Sequence, residues 1–143
     1  METMKAYDEL DTSTARDLMS PVDATISETA TLREVVRRFL DGHARHLIVV
    51  DADGRCVGVI GPRLVAQAHR VDLRSDDQIP LRDLGHADWV ALAPQDSIRT
   101  CARLLVEYDL DAIPVVDEEH RVLGIVTVHD IARVAAHLTD RAG

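Results

Sequence analysis

Thr127 and Asp130 stand at the start of a predicted helix, directly after an apolar strand. A carboxylate accepts two charge-assisted hydrogen bonds readily, and a threonine hydroxyl both donates and accepts. The macrodipole and free amides at a helix start also favour anionic groups. The pair therefore predicts a site for a small polar ligand. Each residue alone has a simpler interpretation, since Asp is common at helix caps and Thr at strand ends.

No residue set in the sequence predicts catalysis. No serine lies in a nucleophile motif, the phosphate-loop pattern G-x-x-x-x-G-K is missing, and neither cysteine has an obvious partner base. Cys56 and Cys101 show neither CxxC nor metal-ligand spacing, which is typical of two reduced, buried thiols. We therefore predict that the protein is not an enzyme and has no metal site and no covalent cofactor.

The composition argues against nucleic acids and membranes as partners. The chain of 143 residues has a formal charge of −9, which opposes binding to phosphate backbones and anionic lipids. No apolar run approaches a membrane span, and Met1–Asp11 does not resemble a signal peptide. We therefore predict a cytoplasmic protein. The aromatic residues, too few for a platform on which bases stack, are Tyr7, Phe39, Trp89 and Tyr108.

The chain repeats itself with an offset of 66 residues, which places Arg16 against Arg82 and Gly58 against Gly124. Such a repeat indicates two copies of one supersecondary unit, each with a face to bury against the other. We predict a flexible acidic tail over 1–13, repeat 1 over 14–71, a linker over 72–80 and repeat 2 over 81–140.

The sequence of each repeat predicts secondary-structure elements in the order strand, helix, strand, strand, helix. Apolar runs indicate the strands, the spacings i, i+3, i+4 and i+7 indicate the helices, and capping residues mark where helices begin. In repeat 1 the elements are a strand at Ala24–Ser27, a helix after a capping box of Thr31 and Glu34, strands at Leu47–Val50 and Cys56–Ile60, and a helix from Pro62. In repeat 2 they are a strand at Val90–Ala93, a helix capped by Ser97, strands at Ile113–Val116 and Val122–Val126, and a helix from about Asp130.

The segment Ile113–Asp117, followed by the G-x-x-T-x-x-D run of Gly124–Asp130, resembles the CBS domain, named after cystathionine β-synthase. Arg16–Met19 is similar to the helical lead-in of such domains. The resemblance implies an α/β (α+β) fold of two tandem β-α-β-β-α CBS repeats packed about a pseudo-twofold axis, known as a Bateman module. It also implies a homodimer that senses an adenosyl ligand such as AMP, ADP or ATP. With no room for an effector domain, we expect a stand-alone regulatory module that signals to a separate, unidentified protein.

The resemblance also implies which residues bind the adenine nucleotide. Asp130 would hold the ribose hydroxyls and Thr127 the hydroxyl or phosphate region, with His129 between them and Ile125 against the base. By alignment, the other repeat would add small residues that leave room for a purine and cationic residues for phosphates. These are Ala24, Ala44, Arg45 and His46. The two cationic residues could equally be solvated surface residues.

The two repeats differ at the binding positions. Thr127 corresponds to Gly61, His129 to Arg63 and Asp130 to Leu64. Glycine offers no hydroxyl and leucine no acceptor, and the cleft served by repeat 1 would face Asp111, which repels phosphate. We therefore predict one ligand per chain. A ligand-free structural dimer or protein-interaction module is the alternative, and S-adenosylmethionine or NAD(H) is a more remote choice of ligand.

Overall fold

The computed structural model describes residues 12–22, 24–42, 44–71, 74–83 and 90–142. In chain order its elements are α1 (Ala15–Leu18), β1 (Thr25–Ser27), α2 (Leu32–Leu40), β2 (Leu47–Val50), β3 (Cys56–Ile60), α3 (Pro62–Val71), α4 (Ile98–Glu107), β4 (Ala112–Val116), β5 (Val122–Thr127) and α5 (Val128–Ala142). Short 3₁₀ turns lie at Asp76–Gln78 and Leu81–Asp83. The mixed α/β fold is confirmed. Most of the predicted acidic tail lies outside the described residues.

These elements fall into two units whose boundaries differ from those of the sequence repeats. Among the described residues, unit 1 holds 12–21, 90–118 and 122–142, and unit 2 holds 22–83 and 119–121. Each repeat begins with a short lead-in, α1 in repeat 1 and Leu81–Asp83 in repeat 2. Each lead-in is packed with the body of the other repeat. In unit 1 the Ala15 amide donates to the Asp96 carbonyl at 2.7 Å, and in unit 2 the Leu81 amide donates to the Ala30 carbonyl at 2.9 Å.

The strand pairs of the two units have the same register. In unit 2, β1 runs parallel to β2, and β2 pairs antiparallel with β3, with Leu47 opposite Ile60. In unit 1, β4 pairs antiparallel with β5, with Ile113 opposite Val126. The register shifts by one residue after Val49 and again after Val115, at the same place in both ladders. The offset of 66 residues is thus also a repeat of backbone geometry.

Two predicted features are corrected. The strand at Val90–Ala93 is reduced to a single bridge between Leu92 and Val115. The amides of Ile48 and Glu28 extend the equivalent ladder in unit 2, and they correspond to Pro114 and Pro94, which have no amide hydrogen to donate. The Thr31 side chain makes no capping hydrogen bond, so the predicted capping box is wrong. The Glu34 amide, which such a box would place on the Thr31 hydroxyl, donates instead to the Thr31 carbonyl at 3.1 Å. Backbone pairing has replaced the side-chain cap.

Each unit has its own hydrophobic core. In unit 2 the buried residues are Ile26, Leu32, Val35, Leu47, Val49, Ile60, Val65, Ile79 and Leu81. In unit 1 they are Ala15, Leu18, Leu92, Ile98, Cys101, Leu105, Ile113, Val115 and Val126. The lead-in residues Leu81 and Leu18 belong to these cores. Burial of their side chains explains why each lead-in packs with the body of the other repeat, because an apolar side chain contributes about 1.5–3 kcal/mol when it is removed from water.

Gly124 lies on β5 where no side chain fits, because a Cβ there would lie 2.7 Å from the Met19 Sδ and 3.0 Å from the Met19 Cβ. We expect Gly124→Ala to lower the free energy of unfolding by about 1–2 kcal/mol, since overpacking would displace Met19. Urea titration measures this change. In a Met19→Ala background the additional loss should be much smaller, and equal losses in both backgrounds would contradict the proposed clash.

Both thiols are free, and burial holds them in the protonated form. Burial raises the pKa of the fully buried Cys101 to about 11, with the nearby Asp96 carboxylate acting in the same direction. Burial also raises the pKa of the half-buried Cys56, although a backbone hydrogen bond with Gly58 opposes the shift. No described helix is both long and apolar enough to cross a bilayer.

In a Cys56→Ser variant, we expect iodoacetamide at pH 8 to react with Cys101 roughly a hundredfold more slowly in the folded protein than in urea, because each unit of pKa lowers the thiolate fraction about tenfold. The folded rate should rise as the pH approaches the pKa. Rates that match in the folded and unfolded states at pH 8 would show that the thiol is neither buried nor shifted.

Candidate functional site

Asp130 is the only buried charged residue among those whose burial is described, with 2% of its surface exposed. It is the third residue of α5, and Thr127 directly precedes that helix. The Thr127 amide donates to the Asp130 Oδ2 at 2.8 Å, and the Asp130 amide donates to the Thr127 Oγ1 at 3.1 Å. This reciprocal pair is a capping box, which sets the start of α5.

The capping box fixes the Thr127 hydroxyl as well. Its Oγ1 donates to the Asp130 Oδ2 at 2.9 Å while accepting from the Asp130 amide. Helix α5 begins at Val128, slightly earlier than the predicted start near Asp130. Both Thr127 and Asp130 therefore have a structural role at the helix start, but Thr127 is the cap and Asp130, which the simpler interpretation made the cap, is the third helical residue.

The second carboxylate oxygen of Asp130 accepts from two further donors. The Ser20 hydroxyl donates to the Asp130 Oδ1 at 2.8 Å, although 110 positions separate the two residues. The Arg133 Nη2 donates to the same oxygen at 3.0 Å, in an ion pair between residues one helical turn apart. The Arg133 side chain is 59% exposed and the Asp130 side chain 3% exposed, so the cation shields the carboxylate from solvent.

Ser20 is held in place by its backbone. Its amide donates to the Ile125 carbonyl at 2.9 Å, and its carbonyl accepts from the Ile125 amide at 3.0 Å. The two residues thus form an antiparallel bridge on the edge of β5 that faces away from β4. The bridge directs the Ser20 hydroxyl at Asp130.

The Asp130 carboxylate is consequently saturated in this structure. A carboxylate offers about four lone-pair sites, and its two oxygens here accept from four protein donors. A ligand hydroxyl can bind Asp130 only by replacing one of them. The two donors to Oδ2 come from the adjacent capping box, whereas the two donors to Oδ1 belong to separate side chains. Oδ1 is therefore the oxygen at which exchange is possible.

In unit 2, the place that corresponds to the Thr127–Asp130 site is occupied by side chains of unit 2 itself. His46 and Gly61 are the next pair outward from Leu47 and Ile60. A Cβ on Gly61 would lie 3.2 Å from the His46 Cδ2, so the imidazole covers the place that a side chain at position 61 would take. Leu64, the counterpart of Asp130, packs against the core of unit 2. The equivalent pair in unit 1 is Ala112 opposite Thr127.

The structure places the other predicted site residues as follows. Ile125 lies on β5 with 8% of its surface exposed, and His129 is exposed in the first turn of α5. Ala24 and Ala44 are half-buried against the core of unit 2, and Arg45 is exposed. Ile125, Thr127, His129 and Asp130 thus lie in unit 1, and Ala24, Ala44, Arg45 and His46 lie in unit 2. That both sets contact one ligand stays a prediction.

Sequence reasoning missed Ser20 and Arg133. The spacing of Asp130 and Arg133 is that of an ion pair on one helix face, so the sequence carried a signal for Arg133. It carried none for Ser20, whose contact with Asp130 spans most of the chain. Within the described residues, no group of three or more His, Cys, Asp or Glu side chains could hold a metal ion.

Together, the fold and the saturated carboxylate define a tandem of small α/β repeats with one polar site in unit 1 and an apolar counterpart in unit 2. Residues 15–68 and 81–137 each match the CBS domain family. The chain therefore belongs to the CBS domain family, as a tandem CBS pair. CBS domains are generally regulatory rather than catalytic.

Known relatives carry the same module. The cytosolic domain of the Mg²⁺ channel MgtE, solved in complex with ATP, is 31% identical and has a TM-score of 0.68, over 91% of this chain and 52% of that one. The CBS pair of protein MJ0100, solved with 5′-methylthioadenosine and S-adenosylmethionine, is 25% identical and has a TM-score of 0.69, over 87% and 97% of the two chains.

A homoserine O-acetyltransferase of Methanohalobium evestigatum is 30% identical over 118 residues, which are 82% of this chain and 23% of that protein. The chain spans about a quarter of the length of the first such curated relatives.

Proposed function

We propose that the protein is a regulatory module that binds an adenosyl ligand of the AMP, ADP or ATP class at the Thr127–Asp130 site and transmits its occupancy to a separate protein. The ribose hydroxyls bind Asp130, and the positive end of the α5 macrodipole favours the phosphate. Ala24, Ala44, Arg45 and His46 are included as ligand contacts on the strength of the family resemblance. MgtE and MJ0100, which carry the same module, bind adenosyl compounds.

One observation carries this proposal: a buried carboxylate with exchangeable donors occurs in unit 1, and a partly buried leucine packed against the core takes its position in unit 2. A buried carboxylate is costly to keep unless it is paired, and an apolar residue of similar size would stabilise the position at least as well. Retention of Asp130 in one unit alone fits a ligand that binds once per chain.

Calorimetric titration with AMP, ADP, ATP, S-adenosylmethionine and NADH tests the proposal. We expect one ligand to bind with a stoichiometry of one per chain and to raise the melting temperature with its concentration, because a ligand of the native state stabilises by mass action. Two equivalent sites per chain, or no binding by any of the five compounds, would contradict it.

A matched pair of variants locates the site. Asp130→Asn keeps the shape of the side chain but loses half of its acceptor oxygens, and we expect about tenfold weaker binding or worse. Asp17→Asn is the control, because Asp17 forms the same kind of box with Thr14 on the exposed side of α1. Undiminished binding by Asp130→Asn would remove Asp130 from the site.

A structural or protein-interaction role is favoured by a different observation. Leu40 and Val106 occupy equivalent positions in the two repeats, and each is 82% exposed. Exposed aliphatic side chains of this kind favour an interface between copies of the chain. Light scattering tests the homodimer: we expect a species of twice 15.8 kDa at micromolar concentration, reduced to the monomer by Leu40→Gln with Val106→Gln. A wild-type monomer would exclude it.

A further inference from the structure

Ser20 donates its hydroxyl to the carboxylate that the proposed function assigns to the ligand. The Ser20 Oγ lies 2.8 Å from the Asp130 Oδ1, the distance at which a sugar hydroxyl would bind. Both are neutral hydroxyl donors to the same anionic oxygen. The ligand-free protein therefore already satisfies, with a side chain of its own, the hydrogen bond that a ribose would make.

The backbone of Ser20 is held in this position, whereas its hydroxyl can turn away from Asp130 by rotation of the side chain. Both of its backbone hydrogen bonds go to Ile125, two residues before Thr127, which places the serine alongside the end of β5. Proline follows at position 21, and the chain passes from unit 1 to unit 2 directly after it. The serine is thus the last described residue of the lead-in that is anchored to unit 1 by hydrogen bonds.

We propose that Ser20 is an internal competitor for the ligand: its hydroxyl occupies the Asp130 Oδ1 in the absence of ligand and is exchanged for a ligand hydroxyl on binding. This inference rests on the proposed function and adds its regulation. The competition lowers affinity, so the site responds only when the ligand is abundant. The exchange also removes the hydrogen bond between the Ser20 side chain and α5, close to the point where the chain leaves unit 1. A partner protein can detect ligand occupancy through this change.

Arg133 has a different part in this exchange. It shares the Oδ1 with Ser20, but its side chain is 59% exposed and can move into solvent at little cost. Its charge can also contact a ligand phosphate, so a variant of Arg133 would change two interactions at once. Ser20 is the residue whose removal isolates the competition.

The experiment compares AMP with 2′,3′-dideoxy-AMP, which lacks both ribose hydroxyls, by calorimetry. The variants are Ser20→Ala, which removes the competing donor, and Ser20→Thr, which retains it. Thr14→Val is the control in the same lead-in, since the Thr14 hydroxyl donates to the exposed Asp17 at 3.1 Å. We expect Ser20→Ala to bind AMP roughly three- to tenfold more tightly than the wild type, because the hydrogen bond that must be broken is gone. Ser20→Thr and Thr14→Val should bind like the wild type.

Binding of AMP to Ser20→Ala but not to the wild type would support the same inference, with stronger competition. Unchanged or weaker binding by Ser20→Ala, with the wild type binding AMP, would overturn the competition and leave the proposed function standing. An equal gain for the dideoxy compound would also overturn it, because that ligand has no hydroxyl to exchange. If neither the wild type nor any variant binds AMP, ADP or ATP, both proposals are overturned.

Discussion

Replacement of Asp130 by alanine is expected to lower the free energy of unfolding by about 2–4 kcal/mol, as measured by urea titration. The change removes the acceptor of four donors, of which the Ser20 hydroxyl and the Thr127 amide are partly buried. Leaving such groups unpaired costs about 1–3 kcal/mol each. Arg133 adds little to the loss, because its side chain is largely exposed.

The asparagine variant separates the structural role from the ligand-binding role. Asp130→Asn keeps one oxygen for the Thr127 amide and turns the other atom into a donor for the Ser20 hydroxyl, so we expect a smaller loss of about 1–2 kcal/mol. Asp17→Ala supplies the exposed control, for which a change within about 1 kcal/mol is expected. If Asp130→Ala cost no more than Asp17→Ala, the buried network would not be stabilising.

Introduction of threonine at position 61 is expected to lower the free energy of unfolding by about 2–3 kcal/mol. Gly61 needs no special backbone conformation, since its φ lies outside the left-handed region. The obstacle is the His46 ring, whose Cδ2 and Nε2 would lie 3.2 and 3.5 Å from a new Cβ. A β-branched side chain places two more heavy atoms in that space.

Removal of the imidazole should relieve the strain. Repeat 2 has alanine and threonine as the equivalent pair, Ala112 opposite Thr127, so His46→Ala with Gly61→Thr reproduces a pairing that the fold already accommodates. A double-mutant cycle by urea titration should show that the two changes together cost less than their sum by about 1–2 kcal/mol. Additive losses would mean that His46 and Gly61 do not depend on each other.

The local features could be predicted from the sequence because they depend on neighbouring residues. The spacing of apolar residues predicted α2, α4 and both antiparallel strand pairs, and the Ser97 cap is confirmed by its bond to the Thr100 amide at 3.1 Å. The capping box predicted at Thr31 is wrong, because the Glu34 amide donates to the Thr31 carbonyl and Thr31 itself forms a bridge with the distant Pro80. The difference between Asp130 and Leu64 could also be predicted by aligning the two repeats.

The sequence by itself determined the two repeats, their elements and the difference between the repeats at the predicted binding positions. Each of these depends on residue types at short or repeated spacing. Only the tertiary structure decided that the lead-ins exchange between units and that Ser20 occupies the Asp130 carboxylate. Both follow from contacts between segments far apart in the chain, where apolar burial and hydrogen-bond saturation select partners that no local pattern encodes.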